Sequence, residues 1–150
     1  MHTVDTIMSE MMKLRVHIAP VGFEIDRVVI PAIKMKADKV YLLRHDNYSE
    51  DKSGPYLDKI AKKLEKKDIE TKIVDVNRYR LFKIIKTVKE IIQSERGNDI
   101  YLNVASGSKI HAVGCMMACM IFDDRTNIHP YYAQAKEYPR YKGNEQQTFG

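Results

Sequence analysis

The chain has 150 residues, 44% of them hydrophobic, and carries a formal net charge of +5. This length fits one domain with a sizeable core, and no apolar run approaches the roughly 20 residues of a membrane-spanning helix. We therefore expect a single cytoplasmic domain without a membrane partner. The basic charge favours anionic partners such as nucleotides or nucleic acid. However, much of this charge comes from lysines on one predicted helix face, which we interpret as an ordinary face exposed to solvent.

Apolar runs and helical periodicities alternate along the sequence. In chain order we predict strand 14–19, helix 24–36, strand 39–43, loop 47–54, a helix from Tyr56 or Leu57, strand 69–76, helix 81–95, strand 99–103, helix 110–122 and strand 126–133. Pro31 should kink or divide the first helix, and Gly97 ends the third.

This alternation predicts the fold class: α/β, a doubly wound, mainly parallel Rossmann-like sheet of five to six strands with helices on both faces. We expect an ordered core over residues 14–134, with tails over 1–12 and 138–150. Cys115 and Cys119, the only cysteines, lie four residues apart in the last helix. Buried structural thiols are therefore expected there, with no disulfide, metal site or cofactor.

In open parallel sheets, ligands bind beyond the carboxyl ends of the strands, near the point where the strand order reverses. The segments that follow strand ends cover residues 19–24, 44–47, 77–79, 103–109 and 131–134. They are more polar or richer in glycine than their strands, but loops are polar in general. These segments therefore indicate where a site lies without naming its chemistry.

The segment 103–109, Asn-Val-Ala-Ser-Gly-Ser-Lys, carries the strongest signal for phosphate binding. Small residues let a ligand approach the backbone, and the first N–H groups of the next helix point at it with the positive end of the helix dipole behind them. Ser106 or Ser108 can cap the helix or donate to phosphate, Lys109 supplies charge, and Asn103 can bond a base, a ribose or the loop itself. The segment is neither a Walker A loop nor GxGxxG. A simple helix cap with a solvated lysine explains it equally well.

Two other strand ends offer candidate contacts. Gly22 permits close approach of the backbone and Phe23 can stack on a base, although core packing explains Phe23 equally well. Arg78 and Tyr79 can hold phosphate and base respectively, or simply pack at the surface.

Three histidines are candidate site residues. His17, within the first strand, is expected to be packed or hydrogen bonded. His45 follows a strand end, which favours a place in the site, but an ordinary surface histidine is the default interpretation. His111 lies in the first turn of the last helix, close to the 103–109 loop. No Ser-His-Asp set, HExxH motif or carboxylate pair is visible, so the residues alone argue weakly for an enzyme.

The fourth strand and its loop resemble the second signature of CARF domains, the CRISPR-associated Rossmann-like sensors, which runs Asn-x-Thr/Ser-Gly-Gly-Thr/Ser-Lys. Asn103, Gly107, Ser108 and Lys109 match this signature, and two positions depart from it, Ala105 and Ser106. Three further segments are similar to the sensor half of archaeal CARF–winged-helix transcriptional regulators, residues 15–24, 37–43 and 110–120.

The resemblance implies a homodimer that binds a cyclic oligoadenylate, most often cyclic tetra-adenylate, across its two-fold axis. The nearly all-round apolar fourth helix suits this, because one face can pack on the sheet and another on a partner; burial within one domain is the alternative. The strand-end segments and the resemblance together predict the ligand contacts Pro20, Val21, Gly22, Phe23, His45, Asn77, Arg78, Asn103, Ala105, Ser106, Gly107, Ser108 and Lys109. DNA would be bound only through a winged-helix domain that this chain lacks.

Other functions stay open beside the sensor. Some CARF domains are metal-independent ring nucleases, in which a ribose 2′-hydroxyl attacks the neighbouring phosphate; Lys109 and Ser108 are then the candidate catalytic residues. A nucleic-acid-binding protein or another nucleotide-binding α/β protein is the third alternative.

Overall fold

The computed structural model describes residues 12–47, 49, 52–122 and 127–134. These residues form five strands and four helices, which are β1 (Arg15–Pro20), α1 (Asp26–Lys34), β2 (Lys39–Arg44), α2 (Gly54–Glu65), β3 (Glu70–Asp75), α3 (Leu81–Ser94), β4 (Asp99–Asn103), α4 (Lys109–Ile121) and β5 (Ile128–Tyr131). The predicted tails lie outside the described residues, apart from Met12.

The strands form one parallel sheet in the order β3-β2-β1-β4-β5. In its register Val16 of β1 lies between Lys39 of β2 and Ile100 of β4. The chain thus builds outward from β1 to β3 and then returns to the other side of β1. The strand order reverses between β1 and β4, so this is where the fold places a ligand site.

The helices cover both faces of the sheet, which confirms the predicted doubly wound fold. Because side chains alternate along a strand, Val16 and Ile18 pack on the side of α3 and α4, whereas Ala19 packs on the side of α1 and α2. Within the described ranges no helix is long and apolar enough to cross a membrane.

Pro31 does not divide α1, which runs as one helix and is shorter than the predicted 24–36. Proline has no N–H, so Pro31 cannot donate to the carbonyl of Arg27 one turn earlier. That carbonyl instead accepts a hydrogen bond from Asn103 Nδ2 at 2.8 Å. A helix defect therefore becomes a tie between α1 and the end of β4.

Two other element boundaries differ from prediction. The second helix begins at Gly54, before Tyr56 or Leu57, because a proline is well suited to its first turn, where the missing N–H has no partner to lose. The fifth strand covers Ile128–Tyr131, inside the predicted 126–133, and Thr126 lies outside the described residues.

The last helix, α4, packs against α3 and exposes its other side. Cys115 and Cys119 are buried free thiols in the core on its inner side, as predicted. On its outer side Val113, Met116 and Met120 are 49%, 38% and 68% exposed. Both an inner and an outer apolar face are therefore present.

The opposite edge of the sheet, at the amino ends of the strands, holds a buried charge cluster. The carboxylate of Glu95, just after α3, accepts hydrogen bonds from Lys39 Nζ at 2.8 Å, from the hydroxyl of Tyr41 and from Asn98 Nδ2 at 2.9 Å. Burial acts to raise the pKa of Glu95, but these donors outweigh it and lower the pKa below its usual value. The cluster joins the end of α3 to β2.

Close packing of α3 on α4 depends on Gly114. A Cβ there would lie 2.6 Å from Ile84 Cγ2. Gly114→Ala gains about 1 kcal/mol of helix propensity but loses about 1–3 kcal/mol by overpacking. We expect a lower free energy of unfolding in urea titration. Gly54→Ala, where a Cβ meets nothing within 4 Å, is the matched control and should be neutral or stabilising; equal effects of the two substitutions would contradict the packing argument.

Candidate functional site

A cleft of about 260 Å³ lies at the carboxyl edge of the sheet, beside the reversal of strand order. Its lining comes from the segment after β1, the segment after β3 and the β4–α4 junction. The lining residues are Val21, Gly22, Phe23, Arg78, Tyr79, Gly107, Ser108, Ile110 and His111. The cleft is therefore where the sheet topology predicts a ligand site.

Two glycines bring the loops after β1 and β4 into backbone contact. A Cβ on Gly22 would lie 3.1 Å from Gly107 Cα. Gly107 has a φ of +77°, which side chains disfavour, and a Cβ there would lie 2.6 Å from both Pro20 Cβ and His111 Nδ1. The floor of the cleft thus requires glycine at residue 107.

Asn103, the last residue of β4, shapes the loop from within. Its side chain is fully buried, and its Oδ1 accepts hydrogen bonds from the backbone N–H groups of Ala105 at 2.9 Å and Ser106 at 3.0 Å. Its Nδ2 donates to the Arg27 carbonyl. Of the partners considered from the sequence, a base, a ribose or the loop itself, the structure gives Asn103 the loop.

A reciprocal cap starts α4 at Lys109, one residue earlier than predicted. Ser108 Oγ accepts from the backbone N–H of His111 at 3.3 Å, and His111 Nδ1 accepts from the backbone N–H of Ser108 at 3.0 Å. This is a capping box with histidine in the position usually held by Glu or Gln. It directs the imidazole of His111 back toward the loop.

The hydrogen bond from the Ser108 N–H determines the tautomer of His111. Because Nδ1 accepts, the neutral ring carries its proton on Nε2. Burial, with the positive charge of Arg78 and then His45 nearby, lowers the pKa of His111 to about 4. At neutral pH the residue is therefore an uncharged donor, and its buried Nε2 has no hydrogen-bond partner among the described residues.

Polar side chains hold the backbone of the segment after β3, and this segment contributes Arg78 and Tyr79 to the cleft lining. His45, buried at the end of β2, accepts from the backbone N–H of Arg78 at its Nδ1, 3.2 Å away, and its ring meets Tyr79 edge-on at 5.3 Å. Asn77 Oδ1 accepts from the Tyr79 N–H at 2.9 Å. The guanidinium of Arg78 lies 5.5 Å from the centre of the Tyr79 ring.

The predicted contacts divide into two groups. Those that line the cleft are Val21, Gly22, Phe23, Arg78, Gly107 and Ser108. Those outside its lining are Pro20, His45, Asn77, Asn103, Ala105, Ser106 and Lys109. Of the two candidate catalytic residues, Ser108 caps α4 and Lys109 is exposed on the outer side of the helix start.

The lining also includes residues outside the predicted set. Tyr79 and His111 are candidates that the sequence offers outside that set, and Ile110 carries no sequence signal. A signal that could have placed His111 in the lining is its position three residues after Ser108, where a capping partner turns back toward the loop. His17, as expected, is packed: it is buried, stacks on Tyr101 at 5.1 Å and has Nδ1 3.1 Å from the Tyr131 hydroxyl.

In the parts of the chain that the structure describes, no three His, Cys, Asp or Glu side chains cluster as a metal-ligand set. The cleft instead offers hydrogen-bond donors, one cation and two aromatic rings, from Phe23 and Tyr79. That combination is suited to a phosphate and a base.

The sequence profile of the family described as HFX_2341_N:-like, N-terminal, matches residues 15–138. The chain belongs to this family. The uncharacterized protein MJ1513 of Methanocaldococcus jannaschii is 34% identical over 128 residues, which cover 81% of this chain and 38% of that protein. The chain thus spans well under half the length of this relative.

Solved structures share the fold. Can2 from Sulfobacillus thermosulfidooxidans, in complex with cyclic tetra-adenylate, is similar with a TM-score of 0.67 and 19% identity, over 80% of this chain and 32% of Can2. Enterococcus italicus Csm6, bound to cyclic hexa-2′-fluoro-hexa-dAMP, is similar with a TM-score of 0.67 and 13% identity, over 86% of this chain and 36% of Csm6. At these identities the likeness concerns the fold alone.

The tie from Asn103 to α1 can be tested by Asn103→Asp. The substitution keeps the oxygen that accepts from the loop but removes the donor to the Arg27 carbonyl, so we expect a loss of about 1–3 kcal/mol in the free energy of unfolding. Asn77→Asp is the matched control, because the contact described for its side chain uses only the oxygen. Similar losses for both variants would show that the donor to Arg27 does not matter.

Stability should fall with acidity through two histidines. The pKa of His17 and that of His111 are both lowered from 6.5 to about 4, by burial first. Between pH 4 and pH 6.5 the unfolded chain binds more protons than the folded chain, so the free energy of unfolding decreases as pH falls from 6.5 toward 4. Near pH 5 the loss is about 2 kcal/mol per histidine. Urea titrations of the parent chain and His111→Gln should show a shallower decline in the variant; an unchanged decline would exclude His111 as a source.

Proposed function

We propose that this chain is a CARF-type sensor domain that binds a cyclic oligoadenylate, cyclic tetra-adenylate above all, across a homodimer. The observation that carries the proposal is the β4–α4 junction. Asn103 and Gly107 fold this loop so that the N-terminus of α4 faces a cleft at the reversal of strand order. A helix N-terminus in this position is suited to a phosphate.

The rest of the cleft suits a nucleotide. Arg78 adds a positive charge beside the donors of the α4 cap, which favours a phosphate. Phe23 and Tyr79, 45% and 61% exposed, offer ring faces on which a base can stack. The likeness in fold to Can2 and Csm6, each solved with a cyclic nucleotide ligand, supports the same class of ligand.

The size of the cleft favours a site shared by two chains. At about 260 Å³ it lies at the small end of ligand pockets, which span roughly 300–1,000 Å³. One such cleft suits a single nucleotide of a ring. Two clefts related by a two-fold axis would hold two equivalent nucleotides of a ring with an even number of units.

The outer stripe of α4 is the surface we assign to the partner copy. Lys109, Val113, Met116 and Met120 are spaced so that they share one face of the helix, and all four are exposed. A second copy packed on the apolar part would cover it and bring both Lys109 side chains close to the two-fold axis. Lys109 would then contact the ring at the axis, which accounts for its position outside the cleft of its own chain.

Cleavage of the ring is the second candidate, and the described geometry favours binding alone. Ser108 Oγ and His111 Nδ1 are occupied by the α4 cap. The described lining residues thus include no free general base, although a ribose hydroxyl could still be the attacking group.

As a sensor, the domain would regulate an attached effector, such as a winged-helix DNA-binding domain, by favouring one dimer arrangement when the ring binds.

Calorimetric titration with cyclic tetra-adenylate and cyclic hexa-adenylate tests the proposal. We expect one ring per two chains, and Lys109→Ala should weaken binding about 10- to 100-fold through loss of a charged phosphate contact. Lys62→Ala removes the same charge from α2, on the other face of the sheet, and should leave binding unchanged.

Chromatography of the titrated mixtures separates the alternatives. Intact ring supports a sensor, whereas linear products would add ring nuclease activity. Failure of both rings to bind the unaltered chain would reject the proposed function.

A further inference from the structure

A buried nitrogen at the cleft has no described partner. His111 is only 2% exposed and lines the cleft, and its Nε2 makes no hydrogen bond to the described residues. Leaving a buried donor unpaired costs about as much as a hydrogen bond. The site therefore holds a donor for which a ligand can supply the acceptor.

The polar groups around this nitrogen favour an anion. The N–H groups of Lys109 and Ile110, at the start of α4, have no carbonyl one turn earlier within the helix. The positive charge of Arg78 acts on the His111 ring. The cleft that His111 and Arg78 both line therefore lies beside the N-terminus of α4, where the helix dipole is also positive.

We propose that His111 Nε2–H donates a hydrogen bond to a phosphate oxygen of the ligand, within the cleft of its own chain. This inference rests on the proposed function and deepens it by dividing the contacts to phosphate. His111 and the α4 N–H groups hold the phosphate in the cleft, whereas Lys109 acts at the two-fold axis.

The capping box makes this donor specific. Since Nδ1 is held by the Ser108 N–H, the ring presents only a proton on Nε2 and cannot accept there. It therefore selects an acceptor such as a phosphate oxygen over a donor such as a hydroxyl proton or an amino group. Water does not reach Nε2, so a hydrogen bond to the ligand would replace none to solvent.

Two variants of His111 separate the donor from the cap. In His111→Gln, one amide keeps an acceptor for the Ser108 N–H and an N–H donor, so binding of cyclic tetra-adenylate should stay within a few-fold of the parent chain. His111→Glu keeps the acceptor for the cap but replaces the donor with a negative charge. We expect it to weaken binding about 10- to 100-fold or more.

Circular dichroism and thermal unfolding of both variants confirm that they are folded. If the parent chain binds the ring and His111→Glu binds equally well, the proposed function stands and this inference fails. If the parent chain does not bind the ring, the proposed function fails.

A second measurement tests His111 without the ring. Titration of the parent chain with adenosine 5′-monophosphate at millimolar concentration, followed through the nitrogen NMR resonances of its histidines, should shift Nε2 of His111 more than Nδ1. If the Nε2 resonance of the His111 imidazole does not move, the inference is overturned.

Discussion

The side-chain amide of Asn103 connects the elements on which the site depends. Its oxygen accepts from the turn after β4, and its nitrogen donates to the carbonyl of Arg27, to which Pro31 has no N–H to donate. Full burial makes these hydrogen bonds costly to lose, since water cannot replace them. The turn that they fix leads into Gly107 and so sets where α4 begins.

The cleft consequently has a rigid floor and adjustable walls. The two glycines at its floor bring backbone against backbone, which leaves no side chain to rearrange. Phe23 and Tyr79 are exposed and turn about their side-chain bonds at little cost. A ligand would thus be held at a fixed distance from the sheet while the exposed aromatic rings adapt to it.

Periodicity and the rule of strand reversal predict the five strands, the faces of the sheet and the edge that bears the cleft. They do not predict which way a loop side chain points. Asn103 is predicted as a ligand contact, and in the structure its nitrogen donates to a carbonyl 76 residues away. Lys109 has the charge expected of a phosphate site, yet it lies two residues from His111 and so on another side of the helix. Only the cap on Ser108 reveals which of the two enters the cleft.

The buried cluster around Glu95 lies at the opposite edge of the sheet from the cleft. Its hydrogen bonds join α3 to β2 without touching any lining residue. One source of stability therefore lies apart from the residues that line the cleft. Substitutions that strengthen this amino-end edge would therefore raise the free energy of unfolding while leaving the residues that line the cleft unchanged.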